Sequence, residues 1–186
     1  MPSPIAHAAI GYWIYRGARS RFSKEAQSRV GPLPQLLAAT VSLSLLPDLD
    51  SIPGILSGDF GRFHNNFSNS AFLGLVVALS VGSGVWLKQR SGFRRWFLTA
   101  LLCYETHILM DYFTQGRGVM LAWPFSNERY APPFPLFFGL RWSQGWVSVN
   151  HLWTLISEIG FVLVIWLLAH VVGMGKSFLK RQARVP

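Results

Sequence analysis

The sequence predicts an all-α integral membrane protein. Residues 1–186 are expected to form a single membrane-embedded domain, a helical bundle of about five segments, two of them short. Hydrophobic residues make up 51% of the chain and charged residues only 13%, and eight Trp with fourteen Phe exceed what a soluble domain of this size needs. Apolar segments of bilayer length recur along the chain, with basic residues gathered between them.

Three segments are long enough to cross a membrane. Residues 152–174 give the clearest span, because about 23 residues rise roughly 34 Å as a helix against about 30 Å of hydrocarbon. Residues 70–87 are nearly free of charge. Residues 95–114 have the length but carry carboxylates and a histidine, so this helix is expected to turn ionisable side chains toward the bundle interior.

The two short segments lie early in the sequence. Residues 34–46 are apolar for only about 13 residues and stop at Pro47, before two aspartates, so the polar end should lie below the membrane surface. Residues 4–15 begin with Pro4, which suits a first helical turn, and contain Gly11, which permits close contact with another helix.

The Lys and Arg residues predict the orientation. Most of them follow the first, third and fifth segments, including a basic tail at 176–186, and short basic loops stay on the cytoplasmic side. The expected topology in the cell (inner) membrane therefore has the N-terminus outside and the C-terminus cytoplasmic. Most of the net charge of +9 then comes from cytoplasmic basic residues that would bind anionic lipid headgroups, and no nucleic-acid partner is expected.

Ionisable side chains collect at the outer side of this topology. Such residues are costly at membrane depth and usually face one another or a cavity, and a divalent metal would compensate several at once. Histidine nitrogen and carboxylate oxygen suit Zn²⁺ and, less specifically, Mn²⁺ or Fe²⁺, whereas a single cysteine excludes a thiolate cluster. The residues are His7, Asp48, Asp50, His64, His107, Asp111, His151 and Glu158.

Each of these residues also has a simpler interpretation. His107 and Asp111 share a helix face at a spacing of four residues, as a satisfied buried pair would too. The stretch LLPDLD could be a helix stop with its aspartates in a turn. His7 could be a packing residue, and His64 an ordinary loop residue.

Four stretches resemble a known family. PSPIAHAAIGY, LLPDLDSIP, FHNNFSNS and HILMDYFTQGRGVMLAWPFSNERY resemble, in order and spacing, the YdjM-like family of membrane-bound metal-dependent hydrolases, over roughly residues 2–130. That family is distantly similar to zinc-dependent phospholipase C and the single-strand-specific nucleases. The resemblance implies one to three divalent ions, with Zn²⁺ expected, held by His7, Asp48, Asp50, His64, His107 and Asp111.

Three further positions are candidate additional ligands or outer contacts. Asn69 stands where the resembling family has a second histidine, and an amide oxygen is a weak zinc ligand. His151 and Glu158 lie seven residues apart on one helical stripe, so one could ligate while the other orients it.

The expected function is a membrane-bound metal-dependent hydrolase that cleaves a phosphoester of a lipid or lipid-linked substrate at the outer face. Arginines that follow the metal helix would clamp phosphate oxygens, or else anchor headgroups. Aromatic side chains between residues 123 and 146 are typical of a membrane interface and point to a membrane lipid as substrate. The catalytic candidates are Asp48, Asp50 and Asp111, and the phosphate-binding candidates are Arg117, Arg129 and Arg141.

Two other classes stay open. In a non-enzymatic scaffold or regulatory protein, the same polar set would be a structural or degenerate metal site, and Asn69 favours this alternative. A transporter would use the buried carboxylates as an ion relay. An evident internal repeat, which many transporters show, is absent from the sequence.

Overall fold

The computed structural model describes residues 2–26, 33–59, 63–140 and 148–182, and within these ranges every regular element is a helix, while residues 113–140 form turns and irregular segments. Apart from the helices, the described residues contain only two isolated β-bridges. The all-α fold class is therefore confirmed. The elements are α1 (Pro4–Ala26), α2 (Leu33–Leu45), a 3-10 helix (Leu46–Ser51), α3 (Ile52–Ser57), a second 3-10 helix (Phe67–Asn69), α4 (Ala71–Gln89), α5 (Phe93–Tyr112) and α6 (Asn150–Gln182).

Helix α1 is longer than the predicted segment 4–15. It begins as expected at Pro4, where the backbone N–H of Ala6 donates to the Ser3 hydroxyl at 3.4 Å, and it continues to Ala26. Residues 16–26 are rich in Arg, Ala, Lys and Glu and lack proline, so nothing in them stops the helix. The first basic cluster therefore begins on a helix and not in a loop.

Helix α2 ends where the sequence predicts, before Pro47, but the chain does not turn away at that point. It passes through the 3-10 helix into α3, which ends at Gly58 with φ 75°. Residues 34–57 together are long and apolar enough to cross a membrane, as are 71–89 and 150–168. Helix α5 has the length, but its charged and imidazole side chains keep it out of this set.

Small residues allow the helices around α5 to approach closely. A Cβ atom added to Gly74 of α4 would press against Tyr104 and Glu105 of α5, and one added to Gly82 would press against Phe93 and Phe97. A Cβ on Gly11 of α1 would lie 2.9 Å from the Thr40 carbonyl oxygen and from the Val41 Cα of α2. These contacts confirm the close approach predicted at Gly11 and enclose the polar face of α5.

The antiparallel helices give the bundle two different ends. At the basic end, Arg95 Nη1 of α5 donates to the Arg21 carbonyl oxygen of α1 at 3.4 Å, and Phe22 packs edge-on against Trp96. At the polar end lie the start of α1, the end of α2, the start of α4 and the end of α5. The basic residues of this end whose side chains the structure describes are Arg16, Arg19, Arg21, Lys88, Arg90, Arg94 and Arg95.

The outer surface of the bundle is apolar. Helix α6 exposes Leu155, Ile159, Leu163 and Leu167, each about half exposed, along most of its described length. In water such a surface would be costly, whereas in hydrocarbon it is the expected lipid-facing side of a spanning helix.

Candidate metal centre

Four ionisable side chains meet at the polar end of the bundle. His7 comes from α1, Asp48 from the 3-10 helix after α2, and His107 and Asp111 from adjacent turns of α5. Each offers one ligand atom, and these atoms all lie within 4.8 Å of one another. The side chains of His7, His107 and Asp111 are fully buried, and that of Asp48 is 11% exposed.

The distances between the nitrogen and oxygen atoms of this cluster are those expected of ligands that bind one metal ion. His107 Nε2 lies 3.5 Å from Asp48 Oδ1 and 3.4 Å from Asp111 Oδ2, and His7 Nε2 lies 3.6 Å from Asp111 Oδ1. Two ligand atoms on a tetrahedral zinc ion, each about 2.1 Å from it, would be roughly 3.4 Å apart. The separations fit a shared divalent ion better than direct hydrogen bonds.

The hydrogen bond of His107 determines which of its ring nitrogens faces the cluster. Nδ1 lies 2.6 Å from the Ser44 carbonyl oxygen, which can only accept, so Nδ1 carries a hydrogen. In the neutral ring, Nε2 then presents a lone pair to two carboxylates. Acceptors that face one another in this way need a cation between them, and a carbonyl behind the ring is the usual support of a metal-bound histidine.

The alternative of a satisfied His–Asp pair leaves too many atoms without a partner. A second proton on His107 would satisfy one carboxylate. Both ring nitrogens of His7, both oxygens of Asp48 and Oδ1 of Asp111 would still be buried with no hydrogen-bond partner among the described residues. Buried polar atoms are rarely left without a hydrogen-bond partner, because each unpaired atom lowers the stability of the folded protein. The His7 ring also stacks on the His107 ring, with centroids 3.7 Å apart.

His64 lies beside the cluster as a fifth candidate ligand. Its Nδ1 is 3.0 Å from Asp50 Oδ1, which assigns the hydrogen to Nδ1, and its unpartnered Nε2 is 4.0 Å from Asp111 Oδ2. Asp50 also accepts from the Ser68 hydroxyl and, at 3.4 Å, from the Asn66 backbone N–H. Asp50 thus holds His64 from behind, and its predicted roles as ligand and base stay predictions.

Asn69 is buried next to the cluster and positions Asp111. Its Nδ2 donates to Asp111 Oδ2 at 2.8 Å and to Asn65 Oδ1 at 2.7 Å. Asn65 has φ 59°, a left-handed conformation that asparagine tolerates better than most residues. The Tyr104 hydroxyl of α5 donates to the Ser68 carbonyl oxygen at 2.7 Å, so the same helix that supplies two cluster residues also holds this loop.

His151 and Glu158 are not part of the four-residue cluster. Glu158 is buried on α6, and its two oxygens accept from the backbone N–H and the hydroxyl of Ser3, both at 2.5 Å. Ser3 precedes α1, one turn before His7. Glu158 therefore attaches the start of α1 to α6, and His151 lies half-buried at the start of α6.

The three arginines predicted to bind phosphate differ in their surroundings. Arg129 donates to the carbonyl oxygens of Asn65 and Gly118, at 2.8 and 3.2 Å, and to Asn66 Oδ1 at 2.5 Å. Partial burial and then the Arg117 guanidinium lower the pKa of Arg129, while Asp50 acts in the opposite direction. Arg129 braces the His64 loop, Arg117 is exposed near it, and Arg141 lies outside the described residues.

Several supporting groups have no signal in the sequence. The Ser44 carbonyl, the Tyr104 hydroxyl and the Ser68 hydroxyl act through tertiary contacts that local spacing does not encode. Ser3 could have been marked as a helix cap before Pro4, but its contact with Glu158 spans 155 positions.

Comparisons with known proteins place the chain in a family of inner membrane proteins. Residues 1–182 match the family described as "YdjM inner membrane protein". The chain is 34% identical to "Inner membrane protein YbcI" of Escherichia coli (strain K12) over 142 residues, which cover 72% of this chain and 74% of that protein. No solved structure matches. A match over nearly the whole length shows that the chain belongs to the YdjM inner membrane protein family.

Proposed function

We propose that the chain is a metal-dependent hydrolase that cleaves a phosphoester of a lipid or lipid-linked substrate at the outer face of the membrane. The observation that carries the proposal is the convergence of unpartnered nitrogen and oxygen atoms from His7, Asp48, His107 and Asp111, with His64 at their side. A structural hydrogen-bond network would satisfy such atoms. A site that binds a cation leaves them facing one another.

The ligand types favour a particular group of ions. Two or three imidazole nitrogens with one or two carboxylates suit Zn²⁺, and Mn²⁺ or Fe²⁺ less specifically, and we propose one to three ions. When bound, such an ion makes a coordinated water acidic enough to supply hydroxide near neutral pH and polarises the ester oxygen.

The chain's own residues divide the remaining work. Asp111 is fully buried and has one oxygen held by Asn69, and Asp50 accepts from three donors, so neither is placed to accept a proton from outside. Both oxygens of Asp48 are buried and unpartnered, but its side chain as a whole is 11% exposed, the largest exposure of the four. Asp48 is therefore the carboxylate we propose as proton acceptor, with one oxygen toward the ligand atoms.

The surroundings of Asp48 and His64 favour a lipid substrate. Their side chains, 11% and 8% exposed, are the ones through which the centre reaches the surface. Just after Asp48, α3 exposes Ile52, Ile55 and Leu56. Beside the His64 loop, aromatic rings form a continuous series with centroids 5.5 to 6.3 Å apart; it comprises Phe67, Trp123, Phe72 and Phe125.

An apolar rim around a polar centre is the arrangement a headgroup would meet while its acyl chains stay in the bilayer. The exposed Arg117 and the neighbouring Arg129 give this side positive charge that would attract a phosphate.

The experiment is an assay of purified protein on phospholipids and lipid-linked phosphates, with and without a chelator. We expect turnover that chelation abolishes and that Zn²⁺ or Mn²⁺ restores. Asp48→Asn should bind metal more weakly and should stay inactive even when saturating metal is supplied, because it removes the proposed base and leaves only a weaker amide oxygen as ligand. Stoichiometric metal with no turnover of any lipid phosphate would contradict the hydrolase proposal and favour the scaffold alternative, in which the same residues stabilise the fold.

A further inference from the structure

Glu105 is an ionisable residue of α5 that the metal centre does not use. Its side chain lies on the face of α5 toward α4, where a Cβ added to Gly74 would press against the Glu105 carboxyl group. The side chain is half-buried, and it makes no hydrogen bond or ion pair with any residue that the structure describes. Its role therefore has to be sought outside the bundle.

The position of Glu105 along α5 places it deep in the membrane. Arg94, at the basic start of the helix, is eleven residues away, which is about 17 Å along a helix. Half of a hydrocarbon core of about 30 Å is about 15 Å, so Glu105 lies near the middle of the bilayer. An ionisable group is costly at that depth and usually pairs with another polar group.

The chain itself does not provide a cationic partner at this depth. Its five apolar segments, residues 4–15, 34–57, 71–87, 96–112 and 150–175, contain no Lys or Arg. Their histidines belong to the metal centre, as His7 and His107 do, or lie near the ends of the last segment, as His151 and His170 do. A second copy inserted in the same orientation would add another carboxyl group and no cation.

The stripe of α5 that carries Glu105 has the spacing of a contact between two helices. Leu98, Leu102, Glu105 and Leu109 follow one another at intervals of four, three and four residues, and the three leucines are about half exposed. Such spacing lines side chains up along one side of a helix, and a single polar residue in the line fixes the register of the pair. Contact with lipid would require only apolar side chains.

The surface beside this stripe is recessed. An open groove of about 510 Å³ between α1 and α5 is lined by Leu98 and Leu102 from α5 and by Gly17 and Ala18 from α1. A Cβ added to Gly17 would meet no atom within 4 Å. Small residues on a membrane-facing surface allow the backbone of another helix to approach closely.

We propose that this face of α5 is a docking site for a spanning helix of another membrane protein, one that carries Lys or Arg near its middle. The cation of the partner pairs with Glu105, and its apolar side chains pack along Leu98, Leu102 and Leu109. Charge complementarity selects this occupant over lipid, because lipid headgroups stay at the membrane surface and do not reach the middle of the bilayer. The site is separate from the metal centre and does not depend on the hydrolase activity.

The test measures binding of the full chain to a synthetic probe in phosphatidylcholine vesicles, by energy transfer between fluorescent labels. The probe is a spanning peptide of leucine and alanine with one Lys at its central position, compared with the same peptide carrying Leu there. We expect wild type to bind the Lys peptide roughly five- to thirtyfold more tightly, the range for one polar contact between spanning helices. Glu105→Gln should lose this preference, because it removes the charge and keeps the shape.

Matched controls separate the docking site from general attraction. Glu128→Gln removes the same charge from the exposed outer loop and should keep the preference. Leu102→Ala should weaken the binding of both peptides equally, whereas Leu163→Ala, which trims an equally exposed leucine of α6, should weaken neither.

Three results would overturn the proposal. Equal binding of the two peptides to wild type would leave Glu105 a lone carboxyl group in lipid. A preference that survives Glu105→Gln, or that Glu128→Gln removes as well, would place the attraction elsewhere. Self-association of wild type that Glu105→Gln abolishes would show that a second copy of the chain occupies this face.

Discussion

At position 69, an asparagine stands where the family resemblance expects a histidine, and its environment explains how the site tolerates it. The amide gives one hydrogen to Asp111 and the other to Asn65. A histidine could ligate, but it could not make both of these bonds. Asn69 therefore contributes by holding a carboxylate ligand in place, a role that metal sites depend on nearly as much as on the ligands themselves.

The first prediction at this scale concerns the ligands. His107→Ala and Asp111→Ala should each remove the bound metal from detergent-purified protein, because each deletes an atom at the centre of the cluster. Elemental analysis of wild type and both variants measures this. His170→Ala, which alters an exposed histidine stacked on Trp166, is the control and should keep the wild-type metal content. The same metal content in all four proteins would refute the site.

The second prediction concerns Asp50. Asp50→Asn should weaken metal binding by about 10- to 100-fold, because one amide oxygen cannot serve the His64, Ser68 and Asn66 donors that the carboxylate now accepts. Competition with a chelator of known affinity measures the change. Asp59→Asn removes an exposed charge nearby and should have no effect. A complete loss of metal, as large as that of His107→Ala, would instead identify Asp50 as a direct ligand.

At the scale of elements, hydropathy predicted the long helices well and the first helix poorly. The segments 70–87 and 95–114 correspond to α4 and α5 within two residues, whereas α6 begins as predicted but continues beyond residue 174 to Gln182, into the predicted basic tail. For α1 the apolar part ends near Tyr15, but backbone propensity carries the helix to Ala26. The residue at which a helix leaves the hydrocarbon and the residue at which the helix ends are different positions. Hydropathy predicts only the first.

Gly11 allows α1 to lie close to α2. Gly11→Ala should lower the melting temperature and the metal content together, because the added Cβ would lie 2.9 Å from the backbone of α2 and would push His7 away from Asp48. Overpacking of this kind costs about 1–3 kcal/mol, which outweighs the roughly 1 kcal/mol gain in helix propensity.

Gly160→Ala is the matched control for Gly11→Ala, since it lies in α6 where a Cβ meets nothing within 4 Å. Its melting temperature should be equal to or above that of wild type. If Gly11→Ala were as stable as Gly160→Ala and kept its metal, the tight α1–α2 contact would not be what positions His7.

For the whole molecule, the separation of charges along the bundle is the main feature. Most of the described basic side chains occupy one end and the metal centre the other, where Arg117 and Arg129 are the basic residues described above. We propose, from the preference of basic loops for the cytoplasm, that the metal centre faces outward. Both ends offer an exposed residue for labelling: Ser91 in the α4–α5 turn, and Asn127 in the loop after α5.

The orientation gives a fourth prediction. In a Cys103→Ser background, which removes the buried native thiol, Asn127→Cys should react with a membrane-impermeant maleimide added to intact cells, and Ser91→Cys should react only after lysis. Asn127→Cys and Ser91→Cys serve as controls for each other. The reverse pattern would place the metal centre on the cytoplasmic side and would end the proposal of an outer-leaflet substrate.

Local pattern predicted the members of the centre better than their separate roles. The spacing of His107 and Asp111 on one helix face, and the break at Pro47 before Asp48, follow from sequence periodicity. What separates Asp48 from Asp50, two residues away, is which side chains of the His64 loop reach each carboxylate. That depends on loop geometry and on contacts between distant segments, which neither hydropathy nor spacing encodes.

The bond between Ser3 and Glu158 has a consequence for how the protein is made. The first turn of α1 is attached by a residue that the ribosome adds 155 positions later. Until α6 has been synthesised and inserted, the start of α1 lacks this bond, and His7 is held only by the packing of α1 against α2 and α5. Tight metal binding is therefore expected only after α6 has been added, so a ribosome stalled before residue 158 should hold a protein that binds its ion more weakly than the full chain does.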